Sequence, residues 1–304
     1  MKIIFMGTPL FGKNVLESLV NAEHEICLVV TKKDNRNKPS EVKKFALEKG
    51  LNLFEPENFK DEYPNIFNYP CDFLITASYG EFLPEKLLEH PKVKALNVHG
   101  SLLPKYRGGA PIQRAIINGD KKTGISIIEM TPKMDAGDIY LQEEVEITNA
   151  DTTSSLMEKL SLVGGEALTE VLKNFDEYEK HKQKQNKELV SFARTLGKDE
   201  DYLDFNFPAD FISRSVRAHL LDKPMFFNLE NIRFKVYNSI PIDNNIDKAP
   251  GTILSADKSG LLVKTKGSAI LITEILPEGK KRMLVKDYLN GIGKKQFIIG
   301  RRIL

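Results

Sequence analysis

The 304-residue chain has no tryptophan, only two cysteines and only five histidines. Cys27 and Cys71 each lie inside an apolar run and lack metal-ligand spacing, which excludes a disulfide framework or a zinc cluster in favour of buried, reduced thiols. No apolar run approaches the length of a membrane span, and Met1 to Met6 is too short for a signal peptide, so a cytoplasmic protein with no membrane partner is expected. No GxGxxG is present, which excludes the dinucleotide fingerprint. The turn Gly7-Thr8-Pro9-Leu10-Phe11-Gly12-Lys13-Asn14 nearly spells a phosphate-binding GxxxxGK[ST] loop. Asn14 lacks the Mg²⁺-binding hydroxyl and Pro9 lacks a backbone donor, so a plain strand-to-helix turn is the better reading. There is no internal repeat.

What is there is an ordinary globular composition, 41% hydrophobic and 28% charged, whose net charge of +2 hides an asymmetry. Residues 205–304 carry 17 Lys and Arg against 9 Asp and Glu, a net of +8, whereas residues 1–204 carry 27 against 33, a net of −6. A basic module on a mildly acidic one is the electrostatic footprint of a polyanion partner; a solvated basic face is the alternative.

The pattern changes along the chain in the same sense. Strand-like runs (Ile3 to Met6, Ile26 to Val30, Phe73 to Ala77, Val93 to Val98) alternate with helical spacing (Asn14 to Val20, Glu41 to Lys49), which predicts an α/β domain with a doubly wound, mostly parallel sheet. Ile112 to Ile117 reads as a helix, Gly124 to Met130 as a strand, and Thr152 to Leu172 as a helix interrupted at Gly164-Gly165. Asn174 to Leu189 is almost free of apolar residues and reads as a linker, extending to about residue 204. The expected division is therefore a catalytic domain over 1–189 and a second domain over 205–304. Beyond a helix at Phe211 to Leu220, short runs at Phe226 to Leu229, Arg233 to Tyr237, Thr252 to Leu254, Leu261 to Thr265 and Ala269 to Ile275 predict a smaller antiparallel, OB-like β-barrel.

The chemistry concentrates where the Val93 to Val98 run ends, at Asn97-Val98-His99-Gly100-Ser101-Leu102-Leu103-Pro104-Lys105-Tyr106-Arg107-Gly108-Gly109. Side chains alternate along a strand, so Asn97 and His99 share a face while the Gly- and Pro-rich continuation forms a shaped loop. Open α/β sheets bind ligands at such strand ends. The loop Ala77 to Pro84 would line the same cleft. A second turn-rich loop, Thr131-Pro132-Lys133-Met134-Asp135-Ala136-Gly137-Asp138, brings two carboxylates. Asp138 fits a turn role, and Asp135 is the better chemical candidate if the loop folds toward His99. Lys32 to Ser40 reads as an exposed basic loop whose Arg36 and Lys38 could touch phosphate or serve solubility alone.

Together these motifs resemble the methionyl-tRNA formyltransferase family over essentially the whole chain. Asn97-Val98-His99-Gly100-Ser101-Leu102-Leu103-Pro104, Arg107-Gly108, Ala110-Pro111-Ile112-Gln113 and Met134-Asp135-Ala136-Gly137-Asp138 follow the family order. The resemblance implies catalytic roles for Asn97, His99 and Asp135, and a folate-binding loop at Ser101, Leu102, Leu103 and Pro104. It also implies 10-formyltetrahydrofolate as co-substrate, methionyl initiator tRNA as partner, no metal and no obligate protein partner. The Lys32 to Ser40 loop is shorter than the family's usual tRNA-contacting loop, and the family's Trp near Lys223-Pro224 is absent.

The implied reaction moves a formyl group from N10 of the folate to the methionyl α-amine, through a tetrahedral intermediate whose oxygen gathers negative charge. Asn97 offers that oxygen a neutral donor, a protonated His99 offers a charged one, and Asp135 can orient His99 or relay the amine's proton. Two other readings compete. The N-terminal motifs also suit a folate-dependent formyltransferase acting on a small amine, glycinamide ribonucleotide or a sugar nucleotide. A non-catalytic RNA-binding protein would explain the basic module but not the Asn97, His99 and Asp135 constellation.

Overall fold

The computed structural model describes residues 1–34, 39–221 and 223–303. Arg36 and Lys38, the phosphate candidates of the basic loop, lie outside the described residues. The chain forms two compact units, one of Met1–Ile112, Lys121–Ile147 and Ser155–Thr195, the other of Gln113–Asp120, Thr148–Ser154 and the chain from Leu196 onward.

The first unit is built on seven strands: β1 (Lys2–Gly7), β2 (Glu25–Val30), β3 (Leu53–Phe54), β4 (Phe73–Ala77), β5 (Lys94–His99), β6 (Lys122–Glu129) and β7 (Ile139–Glu146). They lie in the order β3-β2-β1-β4-β5-β6-β7. The first five are parallel and β6 alone runs against them, pairing antiparallel with both β5 and β7, as expected of a doubly wound, mostly parallel sheet. Continuous apolar sequence is what a strand covered on both faces needs, and Ile3 to Met6 and Phe73 to Ala77 are buried throughout. The strand order reverses between β1 and β4, which opens a crevice at their carboxyl ends beside the end of β5.

The predicted break in the helix over 152–172 does not occur: Thr153–Lys173 is one continuous helix. Its glycines serve close approach instead. A Cβ on Gly164 would stand 2.8 Å from Val98 Cγ1, and one on Gly165 would stand 2.2 Å from Ser18 Oγ. Asn14 joins the same packing, its Nδ2 donating to Ser161 Oγ at 2.7 Å, while Lys13 pairs with Glu17 at 2.5 Å. Both residues of the phosphate-loop look-alike are thus occupied by structural contacts.

The polar stretch after this helix is ordered within the first unit. Phe175–His181 is helical, and the Phe175 ring packs edge-on against Phe73 at 4.9 Å and stacks on Tyr140 at 5.7 Å. Gln183 then pairs with Ile139 through two 2.8 Å backbone hydrogen bonds. One apolar residue and a few ladder bonds hold a segment whose composition reads as tether.

The second unit carries a helix at Ala209–His219 and strands β8 (Phe226–Leu229), β9 (Ile232–Ile242), β10 (Ile253–Asp257), β11 (Gly260–Lys264), β12 (Ala269–Pro277) and β13 (Met283–Leu284). The order is β10-β11-β12-β9-β8 with β13 beside β12, every pair antiparallel, giving the OB-like sheet as a half-barrel. Phe227 and Phe234 stack at 5.2 Å in a core that also takes Ile212 and Val216 from the helix. Among the described residues no helix is long and apolar enough to cross a membrane.

Candidate active site

Asn97 and His99 end β5 on one face, as strand alternation requires. Asn97 is half-buried and His99 buried. The Thr76 hydroxyl donates to Asn97 Oδ1 at 2.8 Å, which fixes the amide so that Nδ2 turns toward Asp135 Oδ1 at 3.5 Å. His99 Nε2 lies 2.9 Å from the Tyr106 carbonyl oxygen. A carbonyl only accepts, so Nε2 carries a proton and Nδ1 is the atom left for chemistry. That Nδ1 faces Asp135 Oδ1 at 3.7 Å. The three residues the sequence singles out are therefore gathered at one place.

Asp135 is held both at its carboxylate and at its backbone. The Gly108 amide donates to its Oδ2 at 2.8 Å, and Gln185 Nε2 donates to the carbonyl oxygens of both Asp135 and Gly137 at 2.8 Å. The other end of Gln185 accepts from Arg107 Nε at 3.0 Å and from the same guanidinium's terminal nitrogen at 2.7 Å. Arg107 is buried, so a neutral amide receives both guanidinium donors away from water. The loop conformation is demanding: Asp135 has φ +48° and Tyr106 φ +63°, in the left-handed region that non-glycine residues rarely adopt. Two glycines make it feasible. A Cβ on Gly137 would stand 1.8 Å from the Glu129 carbonyl oxygen, and one on Gly108, at φ +117°, would stand 2.8 Å from that of Ala193.

The loop after β5 is built inward. Ser101 is fully buried and its hydroxyl donates to the Lys105 carbonyl at 2.7 Å. Ser126 bridges the loop, donating to the Ser101 carbonyl at 2.7 Å and accepting from the Leu103 amide at 3.0 Å. Gln142 Nε2 donates to the Leu103 carbonyl at 2.9 Å, and the Leu103-Pro104 peptide is cis. Leu102 and Pro104 remain half-buried and Leu103 is buried. At the entrance, the Thr8 hydroxyl donates to the Ser78 carbonyl at 2.5 Å, tying the loop after β1 to the loop after β4.

An ionic cluster supports the Gln185 segment. Lys182 bonds Glu129 and Glu179 at 2.9 Å each, and the Tyr140 hydroxyl donates to Glu179 at 2.6 Å. Burial alone would raise the Glu179 carboxyl, but the Tyr140 hydroxyl and Lys182 ammonium outweigh it and hold it below its ordinary value. Burial and the Glu179 bond push the Tyr140 phenol upward, so it stays a donor.

Sequence reasoning missed Gln185, which sits in the stretch read as linker, and gave no role to Thr76, Ser126 or Gln142. Each acts through a contact more than fifteen residues distant, and a lone polar side chain carries no local signal of such a partner.

The family described as "Formyl transferase" matches residues 1–172, and "Formyl transferase, C-terminal domain" matches residues 195–293. The chain is 40% identical to the methionyl-tRNA formyltransferase of Lactobacillus johnsonii, over 99% of this chain and 98% of the relative. It is 39% identical to that of Staphylococcus epidermidis, over 100% and 99%. Among solved structures, HypX from Aquifex aeolicus in complex with tetrahydrofolic acid superposes with a TM-score of 0.65 at 16% identity, covering 97% of this chain and 47% of that one.

Proposed function

This chain belongs to the methionyl-tRNA formyltransferase family, and on that premise we propose that Asn97, His99 and Asp135 carry formyl transfer from 10-formyltetrahydrofolate to the α-amine of methionyl initiator tRNA. The observation that carries the assignment is the convergence of Asn97 Nδ2 and His99 Nδ1 on Asp135 Oδ1, at 3.5 and 3.7 Å. Both distances exceed tight hydrogen bonds, as is common in a free site that tightens around its substrates.

The folate lies against Ser101 to Pro104. Ser101 and Leu103 set the loop's shape by their internal bonds, and half-buried Leu102 and Pro104 supply apolar surface at its rim. The fit is one of form: a loop pinned at both Ser101 and Leu103 presents a fixed edge rather than a mobile one. The co-substrate supplies the activated formyl carbon.

The amine attacks that carbon, and negative charge develops on the formyl oxygen. Asn97 Nδ2, turned by Thr76 to present N–H groups, donates to this oxygen. His99 Nδ1 takes the proton that the amine loses, with Nε2 held by Tyr106 so that the ring cannot turn away. Asp135 then faces the resulting imidazolium edge. The proton returns to the departing folate nitrogen as the C–N bond breaks. No covalent enzyme intermediate enters this route.

We place the catalytic domain at residues 1–189 with linking chain to about 204, and the tRNA-holding domain at 205–304, whose +8 charge suits a polyanion. A cytoplasmic location fits this substrate. Full-length relatives at about 40% identity favour the tRNA acceptor over a small amine. The test is formyl transfer to methionyl initiator tRNA beside charged elongator tRNA, free methionine, glycinamide ribonucleotide and an amino-sugar nucleotide. Selective transfer to the initiator is expected; transfer to a small amine with none to tRNA overturns the reading.

A further inference from the structure

The loop that carries Arg107 and Gly108 has beside it an exposed aromatic ring that the proposed reaction leaves unused. Phe192 is 69% exposed, slightly more than Ile299 at 67% or Phe82 at 66%. It is nonetheless firmly placed. Residues 191–193 run parallel to the 104–110 loop: the Arg107 amide donates to the Ser191 carbonyl at 2.9 Å, the Ala193 amide to the Arg107 carbonyl at 2.7 Å, and the Tyr106 amide to Ser191 Oγ at 3.0 Å. Phe192 is thereby the bridge partner of Arg107.

The bridge sets the Phe192 backbone beside that of Arg107, whose buried guanidinium grips Gln185 and, through it, the Asp135 loop, while the Phe192 ring is left to solvent. One residue further along, the Gly108 amide bonds the Asp135 carboxylate. Met134, 62% exposed, precedes Asp135, and the neighbouring chain carries exposed Lys105, Lys187 and Arg194. A solvent-facing ring on a pinned backbone, with cationic residues in the adjoining chain, is the combination by which proteins hold an unpaired nucleotide, whose base stacks while its phosphates are neutralised.

Resting on the function proposed above, we infer that Phe192 is a stacking platform for the unpaired 3′-terminal base of the acceptor tRNA. In the acceptor, the reacting amine, ester, ribose and base follow one another along a short chain of bonds. A base-binding ring must therefore stand outside the reacting groups, and Phe192 is joined to the Asp135 loop through its bridge partner Arg107 and Gln185. Stacking there delivers the amine to His99 without any base-specific hydrogen bond, as suits an end common to all tRNAs. Discrimination of the initiator falls to other surfaces.

The test is a set of variants at this exposed position. Phe192→Ala should raise KM for methionyl-tRNA roughly ten- to a hundredfold, with kcat and the KM for 10-formyltetrahydrofolate nearly unchanged. Phe192→Tyr should restore the KM, and Phe192→Leu, apolar without a ring face, should not. Because the chain contains no tryptophan, Phe192→Trp introduces a single fluorophore. Uncharged tRNA should quench it, and tRNA trimmed of its terminal nucleotide should quench it far less. An unchanged KM in folded Phe192→Ala, or equal quenching by trimmed and intact tRNA, overturns the inference. Absence of wild-type transfer to methionyl-tRNA would instead overturn the function on which it rests.

Discussion

Gln185 Nε2 lies 2.8 Å from the carbonyl oxygen of Asp135, so a residue fifty positions downstream holds the backbone of the candidate catalytic carboxylate. The same amide accepts two bonds from buried Arg107, and the Asp135 loop is thereby fastened to the loop that follows β5. The clamp acts on position and not on substrate.

Gln185→Ala should accordingly lower kcat by about 10²-fold, the order of loss expected from a small displacement of a reacting group, with KM for either substrate changed little. Gln185→Glu separates positioning from simple occupancy. It keeps an acceptor for Arg107 but loses the donor to the Asp135 and Gly137 carbonyls, and should be as slow as the alanine variant. Wild-type kcat in Gln185→Glu would remove the clamp from the account. Single-turnover formyl transfer makes the measurement.

The segment bearing Gln185 is anchored by Glu179, and this contribution has a defined pH window. Glu179 titrates below its ordinary value of 4.5 in the folded chain, so its stabilisation is present above about pH 4.5 and is lost as pH falls through the lowered value. The Tm difference between wild type and Glu179→Gln should stay constant from about pH 6 to 8 and shrink below about 4.5. A difference that grows on acidification would reverse the assigned sign.

Gly164→Val tests the helix packing behind β5. The added side chain begins 2.8 Å from Val98 Cγ1, between Asn97 and His99 in sequence, and overpacking of this kind costs about 1–3 kcal/mol. For a chain of this size that corresponds to a fall in Tm of about 2–4 °C per kcal/mol, read by thermal unfolding. An unchanged Tm would mean that the helix can shift away from the sheet.

The sheet was legible because its physics is local. Continuous apolar runs such as Phe73 to Ala77 and the interleaved helical spacing specify parallel strands covered on both faces. Asn97 and His99 were legible for the same reason, since strand alternation alone puts them on one face. Asp135 was legible only as a candidate, because its approach to His99 depends on a loop whose left-handed backbone is dictated by tertiary contacts of Gly108 and Gly137. Gly164 and Gly165 misled for a related reason: glycine weakens a helix locally, but here its lack of a side chain lets the helix lie against Val98 and Ser18. Gln185 was invisible because polar composition looks alike in a tether and in a clamp. Lys182 and Gln183 fix the segment through partners more than forty residues away, at Glu129 and Ile139.

In the proposed reaction Asn97 and His99 act together on one reacting centre. The most direct measurement is the single-turnover rate of formyl transfer to methionyl initiator tRNA in Asn97→Ala, His99→Ala and the double variant, each shown to be folded by its Tm. Each single variant should lose about 10²–10³-fold, and the double variant should lose far less than the product of the two, as groups serving one transition state do. A folded His99→Ala enzyme that transfers formyl at the wild-type rate would contradict the account.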